Sequence, residues 1–222
     1  MNIRAVLFDF IGTTVLEKSD TINDAFEKAF RGRDVPFEVE ILRQNRGRDK
    51  REIIDSILGE KYLEKTALSE NIYHDFHANV ANALSEFSLN EGVLETLEYL
   101  QSKNIKTGLG SALTRDLFEK IFNRLPWDTS AFHYIGIAAE VGRSRPHPDM
   151  IFDMMKAVHV YSPDEFLKVG DTTADILEGK NAKVRTAAIL TGTQSDEILR
   201  SAGPDFIINK LGDLIDIIND GK

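Results

Sequence analysis

Cysteine is missing from all 222 residues, which excludes disulfides and thiolate metal sites. Positive charge is in short supply: 27 Lys and Arg against 36 Asp and Glu give a net charge of -9. That balance argues against a nucleic-acid groove and against an anionic membrane surface as partners. Long apolar runs are lacking too, and no window approaches the ~18 uninterrupted apolar residues of a membrane-crossing helix. The chain opens on a strand pattern with no charged-then-apolar leader, so a soluble, cytoplasmic protein is expected. Repeats and low-complexity segments are absent.

What is present is a globular composition, 42% hydrophobic and 28% charged, with room for one large α/β domain or a domain plus an insertion. The most informative stretch is Val6-Leu7-Phe8-Asp9-Phe10-Ile11-Gly12-Thr13-Thr14-Val15. Ala5 to Phe8 run apolar without alternation, as in a strand buried on both faces, and stop at Asp9. A carboxylate at the tip of a buried parallel strand stands where open α/β sheets bind ligands. Gly12 lets the backbone turn closely around an anion, and free amides of such a turn, at Gly12 and Thr13, suit a phosphate.

From about Leu16 to Phe87 the pattern turns helical, with Ile22, Phe26, Ala29 and Phe30 at helical spacing and Ser19 or Asp20 as a cap. Further helices are expected over Phe37–Gln44, Asp49–Leu58 and Tyr62–Leu84. From Asn90 onward, strands at 105–110, 134–139, 166–170, 185–190 and 204–208 alternate with helices. Those helices fall at 91–102, 114–125, 149–158, 174–182, 195–202 and 210–218. The expected architecture is α/β: a Rossmann-like, doubly wound parallel sheet (1–15 and 88–222) with an inserted all-helical cap (16–87).

Three further stretches put polar groups just past strands: Ser111 after Gly108-Leu109-Gly110, Arg145 in Arg-Pro-His-Pro, and Asp171 with Asp175 in Gly-Asp-Thr-Thr-Ala-Asp. Strand ends of a parallel sheet share one edge, so these groups converge with Asp9. Asp9 and Asp171 are hard oxygen ligands suited to Mg²⁺. Ser111 can donate to a phosphoryl oxygen and Arg145 supplies positive charge. Asp9 is then free to attack phosphorus as a carboxylate nucleophile.

These four motifs, in this order, resemble those of the haloacid dehalogenase superfamily over essentially the whole chain. The resemblance implies an aspartyl-phosphate at Asp9 and a Mg²⁺ site of Asp9, Asp171 and the main-chain carbonyl of Ile11, with Asp175 at its back orienting waters or the loop. It implies a phosphate pocket of Gly12, Thr13, Ser111, Ala112 and Arg145. The expected partner is a small phosphorylated or phosphonate substrate, and the chain is expected as a monomer or homodimer.

Position 11 departs from the pattern of most phosphatases in the superfamily, whose second aspartate there serves as general acid; here it is Ile11. Loss of such an acid typically costs ~100- to 10,000-fold unless something replaces it. Three readings stay open. The first is the phosphonatase-like branch, which is similar in having a small apolar residue there and a double threonine, matched by Thr13-Thr14. Phosphonoacetaldehyde hydrolases form a Schiff base with a cap lysine, and their Gly-x-x-Lys pattern resembles Gly47-Arg48-Asp49-Lys50. A Schiff-base lysine must be neutral; Arg46, Arg48 and Arg51 favour that for Lys50, while Asp49 and Glu52 oppose it. The second is a phosphomonoester phosphatase with another proton donor, among which His74, His77 and His147 are considered. The third is a non-catalytic protein that binds a phosphorylated metabolite.

Overall fold

The computed structural model describes residues 2–60, 62 and 65–220. Its strands are β1 (Ala5–Asp9), β2 (Val15–Glu17), β3 (Phe87–Leu89), β4 (Lys106–Ser111), β5 (Tyr134–Ile137), β6 (Phe166–Gly170), β7 (Arg185–Ile189) and β8 (Phe206–Ile208). Among the described residues a six-stranded sheet runs in the order β5-β4-β1-β6-β7-β8, with every pair parallel. Between β2 and β3 come α1 (Thr21–Arg31), α2 (Val39–Gln44), α3 (Lys50–Leu58) and α4 (Lys65–Ala81). The remaining helices are α5 (Val93–Ser102), α6 (Arg115–Phe122), α7 (Ala138–Val141), α8 (Asp149–Ala157), α9 (Thr173–Asn181), α10 (Asp196–Ser201) and α11 (Asp213–Asp220).

The unbroken apolar run of β1 has its reason in two cores. Val6 and Phe8 join a large cluster on one face, while Ala5 and Leu7 pack with Met150, Ile151 and Met154 of α8 on the other. A strand covered on both sides has no solvent face to mark with polar residues. This is the Rossmann-like doubly wound α/β fold expected. With β4 on one side of β1 and β6 on the other, the strand order reverses beside β1, where such sheets open a crevice.

The inserted helices hold together through aromatic packing. Phe26 of α1 lies 4.2 Å from Phe76 of α4 between ring centroids, and Phe30 lies 5.1 Å from Phe37. The insertion is tied to the rest by the antiparallel ribbon β2–β3, in which Val15 faces Leu89 and Glu17 faces Phe87. Three-residue strands are too short to show alternation, so this ribbon had no sequence signature.

Several element ends differ from expectation for local reasons. Asp20 occupies the N-cap of α1 but spends its side chain on Asn23 and Arg46, and Glu17 caps the helix instead, its Oε2 accepting from the Ile22 amide at 2.7 Å. The helix expected over 62–84 is α4, ending at Ala81; the chain then makes a single 3-10 turn (Leu84–Glu86) to enter β3. Residues 63 and 64 of that expectation lie outside the described residues. The strand expected over 134–139 stops at Ile137, where its pairing with Ser111 ends and α7 begins.

Phe10 follows Asp9 directly, is fully buried, and lies 4.5 Å from Phe118 and 6.3 Å from Trp127 between ring centroids. Replacing Phe10 by Ala is expected to lower stability by about 3–5 kcal/mol, read in urea as an earlier midpoint with an unchanged slope.

Candidate active site

Parallel strands end at one edge, so β1, β4 and β6 bring Asp9, Ser111 and Asp171 side by side; the register sets Asp9 opposite Gly110 and Phe8 opposite Val169. Arg145 comes in from the loop after α7, and its Nη1 donates to Asp9 Oδ1 at 2.5 Å. Gly110 leaves space for that approach: a Cβ there would lie 2.9 Å from Arg145 Nη2 and 2.5 Å from Met150 Sδ.

Behind Asp9 lies a buried ion network. Arg145 pairs with Asp9, with Asp175 at 3.2 Å and with Glu178 at 3.1 Å. Lys168, wholly buried in the middle of β6, pairs with Asp175 at 2.9 Å and Glu178 at 3.2 Å. Asp175 also completes a capping box with Thr172 at the start of α9. Burial pushes the Asp175 carboxyl upward, but Arg145 and Lys168 outweigh it and hold it below the usual carboxylate range. Burial likewise pulls Arg145 down, and Asp175, Asp9 and Glu178 more than reverse this.

Two carboxylates fare differently. Burial raises Asp9, against the pull of Arg145, and raises Asp171 to about 8, with Asp9 and Asp175 adding repulsion. Four buried acids (Asp9, Asp171, Asp175, Glu178) thus face two buried bases, Arg145 and Lys168. Oxygens of Asp9, Asp171 and Asp175 all lie within 4.8 Å of one another. Two ligands of one Mg²⁺, each at ~2.1 Å, sit about 3–4 Å apart, so the cluster suits a small divalent cation in spacing and in charge. Asp175 Oδ2 is taken by Thr172 and its Oδ1 by the two bases. Asp9 pairs with one cation and Asp171 with none among the described residues, so these two are the less neutralised ligands.

A cavity of about 40 Å³ opens in front of Asp9. Asp9, Ile11, Ser111, Ala112, Arg145 and Asp171 line it from the sheet edge, and Ile22, Arg46, Gly47 and Lys50 line it from the inserted helices. The Ser111 hydroxyl accepts from the Leu113 amide at 3.1 Å, leaving its proton to donate. Gly12 and Thr13 stand apart from this lining. Thr13 donates to Asp171 Oδ1 at 3.1 Å, and Gly12, at φ +100°, passes so close that a Cβ would meet the Asp171 carboxylate at 2.3 Å. They cradle Asp171, whatever they do for phosphate.

Lys50 is the first residue of α3, whose N-cap Asp49 accepts from the Arg51 and Glu52 amides. Burial lowers its ammonium to about 8, with repulsion from Arg46 and, less, Arg145; Asp9 and Asp49 pull the other way. Arg48 and Arg51, expected to help, are engaged elsewhere: Arg48 with Asn45 and Glu52, Arg51 with Glu70 and over the Tyr73 ring. Among the described residues no histidine lines the cavity. His74 and His147 are exposed, and His77 bonds Thr114 at 3.2 Å. Lys168 and the pairing of Glu178 were missed as site features, although a lysine inside the run Phe166-Leu167-Lys168-Val169 signals a buried ion partner.

A parallel sheet with a buried carboxylate cluster at its switch point, facing a small cavity, is an arrangement suited to a hydrolase acting on phosphoryl groups. Residues 6–189 match the haloacid dehalogenase-like hydrolase family, and the chain belongs to that family. It is 29% identical over 203 residues to the phosphonoacetaldehyde hydrolase of Bacteroides fragilis, covering 86% of this chain and 77% of that one. It is also 29% identical over 223 residues to pyrophosphatase PpaX of Oceanobacillus iheyensis, covering 99% of each. In fold it resembles a hydrolase from Pseudomonas syringae, with a TM-score of 0.85 at 20% identity, covering 97% of this chain and 98% of that one. The protein is therefore an enzyme of the hydrolase class, which sets aside the non-catalytic reading. No described helix is long and apolar enough to cross a membrane.

With Asp171 raised from 3.8 to about 8, the folded metal-free state keeps a proton that the unfolded chain loses. Its contribution to stability is complete below the unfolded value and lost as pH rises through about 8. In EDTA the melting temperature is expected to fall between pH 5 and pH 8, and millimolar Mg²⁺ to raise it more at pH 8 than at pH 6. Asp171→Asn is expected to flatten both trends.

Proposed function

We propose that this chain hydrolyses the carbon–phosphorus bond of a small carbonyl phosphonate, through an aspartyl-phosphate at Asp9 and a Schiff base at Lys50. The observation that carries this reading is Lys50 itself: buried, lowered to about 8, and lining the same cavity as Asp9, where residue 11 is apolar. At pH 7 such a lysine is ~10% neutral, against ~0.03% for one with the ordinary value.

The neutral Lys50 amine attacks the substrate carbonyl carbon and expels water to give a protonated imine. Asp9 then attacks phosphorus; the carbon–phosphorus bond breaks, and its electron pair moves into the imine as an enamine. A carbon leaving group of this kind takes its proton later, so no acid at position 11 is needed. Water next cleaves the aspartyl-phosphate, while protonation on carbon and hydrolysis return the aldehyde and free Lys50. Arg145 holds Asp9 in place and pulls it toward the ionised form against the burial that raises it, and Ser111 donates to a phosphoryl oxygen. Asp9, Asp171 and the main-chain carbonyl of Ile11 would hold Mg²⁺, which when bound supplies positive charge against the phosphoryl oxygens. Asp175 backs this set through Arg145 and Thr172. The helical insertion, 16–87, acts as the cap, hinged at the β2–β3 ribbon and excluding water when closed.

A second reading rests on the same lysine. Protonated Lys50, near 8, is a suitable donor to the leaving oxygen of a phosphate ester or diphosphate and so replaces the missing second aspartate.

Borohydride treatment in the presence of phosphonoacetaldehyde is expected to trap a covalent adduct at Lys50, located by peptide mass spectrometry. Asp9→Asn should still form that adduct while its phosphate release falls by about 10³-fold or more. Native-rate phosphate release from phosphonoacetaldehyde by Lys50→Arg would exclude the Schiff base; adduct-free native enzyme that cleaves phosphate esters favours the second reading.

A further inference from the structure

Arg46 stands four residues before Lys50 and lines the same cavity, where its charge favours a neutral Lys50. It is 7% exposed, and both terminal nitrogens are committed. Nη1 donates to Glu17 Oε1 at 2.9 Å and Nη2 to Asp20 Oδ1 at 2.8 Å. Glu17 is the last residue of β2, and its other oxygen caps α1 at the Ile22 amide. Ile22 in turn lines the cavity. Between Arg46 and Lys50, Gly47 presses on the sheet edge so closely that a Cβ would lie 2.5 Å from Thr172 Oγ1. One guanidinium thus ties the loop that carries Lys50 to the hinge ribbon and to the start of α1.

We propose that Arg46 is the positioning residue of this site: its paired grip on Glu17 and Asp20 holds the 45–49 loop and the first turn of α3, so that the Lys50 amine, which donates to the Arg48 carbonyl at 3.3 Å, stays buried in the cavity it shares with Asp9. The inference rests on Lys50 being the reacting amine of the proposed function, but its test does not need that reaction. The charged groups that act on Lys50 are Arg46 and Arg145, which disfavour its ammonium, and Asp9 and Asp49, which favour it. Arg145 is shared among Asp9, Asp175 and Glu178. Arg46 is the nearer cation in sequence and the stronger in effect. An arginine cannot shed its proton near neutral pH, so its influence is constant across the working range.

Replacing Arg46 alone strands the buried Glu17, which invites misfolding. The test therefore pairs Arg46→Met with Glu17→Gln, removing both charges and leaving an acceptor for the Ile22 amide, and adds Arg46→Lys as the charge-conserving control. The readout is the pH dependence of Lys50 acetylation by acetic anhydride, followed by peptide mass spectrometry in the full chain without substrate. The native midpoint is expected near 8. The paired variant is expected to move upward by about one unit or more, and Arg46→Lys, which keeps the charge but loses the paired grip, to move part of the way. With phosphonoacetaldehyde, kcat at pH 7 should fall about tenfold per unit of that shift and recover at higher pH, with KM little changed. An unmoved Lys50 midpoint in the paired variant overturns the proposal, including when KM rises because the loop has merely loosened. Failure to trap any adduct in the native enzyme overturns the Schiff-base chemistry instead, and the acetylation midpoint then decides the role of Arg46 alone.

Discussion

Four carboxylates and two cations share the dry end of the sheet, and that imbalance organises the rest of the molecule. Asp9, Asp171, Asp175 and Glu178 are each buried, while Arg145 and Lys168 are their buried partners. Charges out of water are tolerated only when paired and hydrogen-bonded, so every neighbouring element is bent to that service. The strand β6 carries a lysine through its centre, α9 begins with a capping box built on Asp175, and Gly110 gives up a side chain to let Arg145 through. What remains unbalanced sits at Asp9 and Asp171, the two acids raised by burial. A divalent cation would offset both at once, since its charge favours the ionised form of each.

The same reasoning runs in reverse on the facing side of the cavity. The inserted helices bring a lysine to the cavity that Asp9 lines, and burial, the force that raises the acids, lowers the amine. Burial on the two sides of a space of about 40 Å³ therefore moves acid and base toward each other's protonation range. The Ile11 side chain, which lines this space, contributes only apolar surface.

Much of this was legible in the residues. Asp9 at the end of an unalternated apolar run, Ser111 after Gly-Leu-Gly, and Asp171 after Gly170 all announce themselves, because a parallel sheet buried on both faces writes its strands as apolar runs and its site as the polar residue that stops each run. The doubly wound sheet follows from the alternation of strands with helices, and the resemblance to the family from the four motifs in their order. The departure at Ile11 was visible too, being a matter of identity at one position.

Tertiary structure decided what depends on distance between residues remote in sequence. Arg46, Arg48 and Arg51 read alike as members of one charged run; only folding put Arg46 against Glu17 and Asp20 and sent the other two to Asn45, Glu52 and Glu70. Thr13 and Gly12 read as a phosphate turn, and folding set them against Asp171, 158 residues away in the case of Thr13. Nor could the chain alone say that Lys50 would be buried, since exposure depends on which surfaces close over it. Residue type and period, which act locally, are written in the sequence; charge environment, which sums over everything within a few ångströms in space, exists only once the chain has folded.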